Sequence, residues 1–308
     1  MSKERTPVAI CVSTFDRNGP LTRLLEHLLA VADFSADSVK LGIAIADDNT
    51  DGRAKAVADA FADRFELGIR YVPVNAQNIS LARNASLAAG GEIADFVVLT
   101  DDDCMPPKSW LSELLAMQLS TDADIVTGPF ELVAAEGSPD WYFDQGLEGA
   151  SVVYADGSIP PHGCTANALI RTGFLAAHPD VRFRTDYGKT GGEDMVFFHS
   201  AEVAGAVHRY ARNAMMQEDL PLERTTMRFA VGKNFWFGNN MVVINSTTKE
   251  FPSWRMFLRG LKAAIVSLSV PLKRVAGGKP PHARKAIVDS MIGFGLMAGA
   301  AGIKVNHR

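Results

Sequence analysis

Between residues 8 and 132, short apolar runs alternate with segments of helical period. Nothing else in the chain restricts the fold as much. "VAICVS" (8–13) is a strand-type run, and "LTRLLEHLLAVA" (21–32) repeats its apolar residues at helical spacing. "LGIAIA" (41–46), "IRYVPV" (69–74), "DFVVLT" (95–100) and "ADIVTGPFEL" (123–132) read as further strands. "RAKAVADAFADRF" (53–65), "SLARNASLAAG" (80–90) and "SWLSELLAMQL" (109–119) read as the intervening helices. Ser80 is expected to cap the helix it opens and Gly90 to close it; Ser109 is expected to cap the helix at 110. The strands are apolar throughout instead of alternating. That is the pattern of a mainly parallel sheet covered by helices on both faces. A length of 308 residues fits one large α/β domain with an appendage, or two domains.

In open α/β sheets, ligands sit beyond the carboxyl ends of the strands. Here those ends are followed by "STFDRNG" (13–19), "DDNTDG" (47–52) and "DDDC" (101–104). Asp16 and Asp51 have the residue type of helix caps, but capping does not call for three adjacent aspartates. Crowded carboxylates are tolerable when a divalent cation neutralises them. Mg²⁺ and Mn²⁺ favour oxygen donors, and Mg²⁺ typically takes one or two carboxylates plus substrate phosphates and water. The triplet therefore points to a metal–phosphate site with Mg²⁺ or Mn²⁺. Other phosphate motifs are missing. No G-x-G-x-x-G follows the first strand, which argues against a dinucleotide dehydrogenase. "GKT" (188–190) lacks the earlier glycine of a P-loop, Phe183 standing there, and no H-E-x-x-H occurs. Cys11, Cys104 and Cys164 are scattered, as expected of buried thiols in a reducing compartment.

Taken in order, "VAICVSTFDR", "IAIADDNTDG", "NISLARNASLAAGGEIADFVVLTDDDCMPPKSWL", "GCTANALIRTGF" (163–174) and "YGKTGGEDMVFFHSAEVAG" (187–205) resemble the family-two inverting glycosyltransferases. The pattern is similar to bacterial exopolysaccharide glucosyltransferases of the succinoglycan type. The resemblance implies a GT-A fold over residues 7–240: an α/β, Rossmann-like mixed sheet with helices on both faces. Residues 7–130 would form its donor-binding half and 131–240 its acceptor-binding half. It implies that Ser13, Thr14 and Asp48 meet the nucleotide and that Asp101 holds the ribose. Asp103, last of the D-x-D, would bind the metal, with Asp102 able to stand in for either aspartate. Arg83 and Asn84 would line the donor pocket, and Asp194 of "GGED" would be the general base. His162, Asn167 and Glu193 are placed on the acceptor side. Arg228 and Lys233, among the aromatics of "TTMRFAVGKNFWFGNN" (225–240), either approach the diphosphate or belong to a surface helix. No Q-x-x-R-W occurs, so a processive synthase is not implied. The chemistry fits the assignment. An inverting transfer is a single displacement that needs a base on the face opposite the leaving group. Asp194 lies on a segment separate from the metal site and opens a helical stretch after Gly191-Gly192.

Charge is uneven. From Lys249 to Arg308 there are eleven Lys and Arg against two acids, a net of +9, whereas residues 1–248 carry −13. An acidic body does not suit nucleic acid; a basic tail suits an anionic membrane surface. Within 250–308, "SWRMFLRGLKAAIVSLSVPLKRV" (253–275) spaces Trp254, Phe257, Leu258, Leu261, Ile265 and Leu268 helically, with Arg255, Arg259 and Lys262 elsewhere on the wheel. "IVDSMIGFGLMAGAAGI" (287–303) has 17 residues, near the minimum for a span; Asp289 and four glycines favour a re-entrant or surface-lying helix over a span, and packing of both segments back onto the domain stays open. The N-terminus, "MSKERTPVAI", does not read as a secretory signal. The expectation is a cytoplasmic enzyme held peripherally at the inner face of the cell membrane. It would move one sugar from a nucleotide sugar, with UDP as the expected nucleotide, to a glycan or lipid-linked acceptor. Two other readings of the acidic edge stay open: a sugar nucleotidyltransferase, and a non-catalytic nucleotide- or metal-binding regulatory domain.

Overall fold

The structure, a computed structural model, describes residues 4–148, 152–248 and 251–305. The ends of the expected 250–308 tail, Glu250 and residues 306–308, lie outside the described residues. The chain forms two compact units. The first comprises residues 1–131, 151–188 and 193–219. Its strands are β1 (Thr6–Thr14), β2 (Val39–Asp47), β3 (Ile69–Pro73), β4 (Phe96–Asp101), the two-residue β5 (Cys104–Met105) and β6 (Ile125–Thr127). The chain leaves this unit along β7 (Phe130–Ala134), and β8 (Ala168–Arg171), β9 (His208–Tyr210) and β10 (Met216–Leu220) follow. Its helices are α1 (Asn18–Phe34), α2 (Ala54–Ala60), α3 (Ile79–Gly91) and α4 (Trp110–Thr121); α5 (Asp140–Asp144) belongs to the second unit, and α6 (Thr172–Ala177) and α7 (Glu193–Val203) return to the first.

The main sheet has the order β3-β2-β1-β4-β8-β6-β9. Strands β3, β2, β1 and β4 are mutually parallel, whereas β8 runs antiparallel to both β4 and β6. The sheet is therefore mixed. Its two faces are both buried, which explains the unbroken apolar strands. Val8, Ile10 and Val12 share one core cluster with Leu21, Leu24, Leu25 and Leu28 of α1. Ala9 and Cys11 share the other with Leu87 of α3 and Phe197 and Phe198 of α7. Each fully buried leucine contributes roughly 1.5–3 kcal/mol, so α1 alone holds its face of the sheet with several times the strength of any surface ion pair.

Several local expectations are corrected. α3 begins one residue before Ser80 and is capped by Asn78, whose side chain accepts from the Leu81 N–H at 3.2 Å. Ser80 is buried inside the helix. Gly90 does not close α3; it lies within it, where a Cβ would stand 2.6 Å from Cys11 Sγ. Ser109 occupies the cap position of α4 but makes no side-chain cap bond. Asp16 and Asp51 cap nothing, because both pair with Arg53. The first turn of α2 is met instead by Asp47, which accepts from the Ala54 N–H at 3.2 Å. "ADIVTGPFEL" is two strands, broken at Gly128-Pro129, and glycine is required at 128 because a Cβ there would meet Ala214 O at 2.4 Å.

The second unit comprises residues 132–150, 189–192 and 220–308. It contains α5, α8 (Met227–Thr248), α9 (Ser253–Ala276) and α10 (Ala283–Ala300). The helical unit thus begins well before 250 and takes 132–150 with it. Tyr142, Leu147, Leu220, Ala230 and Val288 form its core. α10 is covered on two sides. A Cβ at Gly295 would meet Phe235 O of α8 at 2.0 Å, and one at Gly293 would meet Gly260 O of α9 at 2.4 Å. Gly293 and Gly295 of 287–303 are therefore helix-packing positions. No described helix is long and apolar enough to cross a membrane.

Candidate active site

The strand order reverses between β1 and β4, and ligand crevices open beyond the carboxyl ends of strands at such points. In register, Ser13 of β1 stands beside Asp101 of β4. The Ser13 hydroxyl is buried and makes no hydrogen bond among the described residues. Because β8 is antiparallel, its leading residues, Cys164–Asn167, reach the same edge.

Each aspartate of the triplet has its own setting. Asp102 is 3% exposed and accepts from Thr14 Oγ1 at 2.8 Å. The Arg17 guanidinium bridges Asp102 and Asp103, with both contacts at 2.9 Å. Burial pushes the Asp102 carboxyl up to about 7, against the pull of Arg17 and Thr14, and Asp103 and Asp101 add to the rise. Asp101 is the most open of the three, with 36% of its side chain exposed, and it pairs with Arg83 at 3.1 Å.

Arg83 is the link to the second half of the site. It is buried, and it pairs with Asp101 through Nη2 and with Glu193, the first residue of α7, through Nη1. Burial works against its charge, but Asp101, Glu193 and Asp194 together raise its affinity for the proton. Glu193 is itself held above the ordinary carboxylate range, mainly by burial, with Arg83 opposing. Asp194 follows it, half-buried, and accepts from the Met195 N–H at 2.7 Å. Its charge also raises the Cys164 thiol, which burial chiefly holds at about 12. Asp101, Arg83, Glu193, Asp194 and the segment entering β8 therefore form one neighbourhood.

Asp48 is 5% exposed and accepts the N–H groups of Ala76 (2.7 Å) and Asn78 (2.5 Å), which fixes the loop before α3. One expected acceptor-side residue, Asn167, is corrected, and one expected donor-pocket residue, Asn84, has its amide tied to the backbone. The Asn84 amide is spent on the backbone of Phe183, donating to its carbonyl at 2.7 Å and accepting its N–H at 2.9 Å. Asn167 is fully buried: it accepts from Trp110 Nε1 at 2.8 Å and donates to the carbonyls of Pro129 (2.8 Å) and Ala214 (2.7 Å), so no acceptor reaches it. His162 is exposed on the loop before Gly163. Arg228 and Lys233 are exposed on α8, in the second unit. Sequence reasoning passed over two residues. Neither Arg17, which pairs with Asp102 and Asp103, nor Asp47 is singled out by the sequence pattern. The paired "DD" after β2 was the available signal: Asp47 also accepts from the Tyr71 hydroxyl at 2.8 Å.

Among the described residues no three His, Cys, Asp or Glu side chains stand ready as a metal cage. The donor set nevertheless fits a hard divalent ion completed by phosphate and water, which needs only one or two carboxylates.

A GT-A sheet with an acidic cluster at its switch point and a second acidic pair opening α7 defines a nucleotide-sugar transferase. The chain belongs to glycosyl transferase family 2, whose model matches residues 9–177, and it is a glycosyltransferase. It is 27% identical to the succinoglycan biosynthesis protein ExoM of Rhizobium meliloti (strain 1021), over 99% of this chain and 96% of that protein. Its fold is similar to residues 1–349 of S. aureus TarS solved with UDP, at a TM-score of 0.53 and 16% identity, covering 96% of this chain and 92% of that one; the same fragment is also solved with UDP-GlcNAc. Against the larger TarS structure the TM-score is 0.51 at 18% identity, and the match covers 74% of this chain but only 39% of that chain.

Proposed function

We propose that this enzyme transfers one sugar, with inversion, from a UDP-sugar to a glycan or polyprenyl-linked acceptor in polysaccharide biosynthesis. Asp194 is the general base in this reading. The observation that carries it is the Arg83 bridge, which ties Asp101 at the end of β4 to the first turn of α7. That bridge sets the proposed donor edge and the proposed base on one rigid connection, as a single displacement requires. Asp194 would take the acceptor hydroxyl proton, while Asp101 and the unpartnered Ser13 hydroxyl hold the nucleoside. Asp103, with Asp102 beside it, would hold Mg²⁺ or Mn²⁺. The ion would supply charge stabilisation to the departing diphosphate. The likeness to ExoM supports the pathway class and the UDP-bound TarS fragment supports the nucleotide.

The test is calorimetry of UDP with Mn²⁺, alongside UDP-sugar hydrolysis without acceptor. Asp103→Asn is expected to abolish Mn²⁺-dependent UDP binding. Asp194→Asn is expected to keep binding and to lose about 10²-fold or more in turnover. UDP affinity unchanged by EDTA, or hydrolysis untouched in Asp194→Asn, would overturn the respective role.

A further inference from the structure

α9 presents three different faces. Met256, Gly260 and Ala264 are buried, and a Cβ at Gly260 would lie 2.6 Å from Gly293 O of α10. On the side turned away from this seam, Trp254, Leu258, Leu261, Ile265, Leu268 and Leu272 are 41–76% exposed. At about 100° per residue these six fall in one stripe about 27 Å long. Arg255, Arg259, Lys262 and Lys273 are exposed along one flank of the stripe. Two of them lie over rings, Arg255 at 5.2 Å from the Trp254 centroid and Arg259 at 4.0 Å from that of Phe251.

We propose that this face of α9 docks on an anionic lipid surface, with the helix lying flat. An exposed apolar stripe of this length, running from Trp254 to Leu272 along one side of the helix, fits a plane better than a pocket. Cations that snorkel beside aromatic residues at the edge of such a stripe suit headgroups above and acyl chains below. Charge selects the occupant. The segment from Lys249 to Arg308 carries eleven cations and two acids, so a second copy of the same face would meet like charge, whereas an anionic leaflet complements it. The inference does not depend on which sugar is moved or on the role of any site residue.

The experiment uses the full chain and vesicles of phosphatidylcholine with or without phosphatidylglycerol, read by co-sedimentation. Binding is expected with phosphatidylglycerol and not with phosphatidylcholine alone at low salt. It should weaken steeply with salt, since the screening length falls from about 10 Å at 0.1 M to about 3 Å at 1 M. Arg255→Gln, Arg259→Gln and Lys262→Gln together should cost roughly 100-fold in affinity for anionic vesicles. Leu261→Asp with Ile265→Asp should abolish binding at every salt concentration. All these positions are exposed, and unchanged thermal unfolding of the variants checks that the fold is kept. Wild-type protein that stays in the supernatant with anionic vesicles at low salt would overturn the proposal. So would a dimer in analytical ultracentrifugation that the Leu261→Asp, Ile265→Asp variant dissolves, because the face would then be occupied by a second copy.

Discussion

Replacing Glu193 by Gln keeps the side-chain shape and removes one charge from the Arg83 bridge. Arg83 is 8% exposed and Glu193 7%, so neither charge is well hydrated. Breaking a buried ion pair by removing one partner costs about 3–5 kcal/mol, because the survivor is left uncompensated. Arg83 keeps Asp101 at 3.1 Å, and Asp101 is partly open to solvent. The cost should therefore fall at the low end, about 3 kcal/mol, or roughly a 150-fold shift towards the unfolded form. Arg83→Met should cost about the same by the opposite route, leaving Glu193 buried without a counterion. The double variant Arg83→Met, Glu193→Leu removes both charges. It should be no less stable than either single variant, giving a coupling of about 3 kcal/mol. Hydrogen exchange in urea, followed by mass spectrometry on peptides from β1 and β4, reads the first unit by itself. Single variants within 1 kcal/mol of wild type, or a double variant that loses the sum of the two, would refute the bridge as a buried, mutually dependent pair.

Two stability predictions rest on other buried polar groups. Asn167→Ala strands the Trp110 indole N–H and two carbonyls, each at about 1–3 kcal/mol, so Tm should fall by roughly 6 °C or more in a thermal melt; a drop under 2 °C contradicts the assigned hydrogen bonds. His208 is held neutral, burial pushing it down to about 4. Its folded value lies below its unfolded one, so its contribution is complete above pH 6.5 and is lost as pH falls towards 4, by about 3 kcal/mol in all. His208→Gln should flatten that part of the stability curve in urea titrations at stepped pH, and an unchanged slope between pH 6.5 and 4 would refute the assignment.

Much of the fold is legible in the sequence because its strands are buried on both faces. "VAICVS" and "LGIAIA" have no polar alternation, and only helices on both sides of a sheet permit that. The antiparallel β8 is not legible. "NALIR" is as apolar as a parallel strand would be, and strand direction is set by what the loops reach, not by periodicity. The boundaries of α3 failed for a similar reason. Ser80 has the residue type of a cap, but the cap is Asn78, whose side chain accepts from the Leu81 N–H. The site was legible where residue type dictates chemistry, as in the clustered acids at strand ends. It was illegible where polar side chains serve the backbone. Asn84 and Asn167 look like ligand residues in a motif, yet both amides are consumed by carbonyls and N–H groups far away in sequence. The glycines of 287–303 are a further case: Gly293 and Gly295 admit α9 and α8 to close contact, which residue type alone does not show.

The aspartate triplet illustrates how a cluster that repels itself can persist. Its charges are not interchangeable. Asp101 faces outward to Arg83, Asp102 turns inward to Thr14, and Asp103 shares Arg17 with Asp102. Asp102 is held by a hydroxyl and a guanidinium. Asp101 and Asp103 flank it as the two ends of a D-x-D. Arg17 spans both carboxylates and is itself partly exposed, while Asp101 and Asp103 still raise the Asp102 carboxyl, so added positive charge is favourable here. A donor diphosphate alone would bring more negative charge to this edge. A divalent cation arriving with it reverses that balance, which is why the proposed ion and the nucleotide are expected to bind together and neither tightly alone.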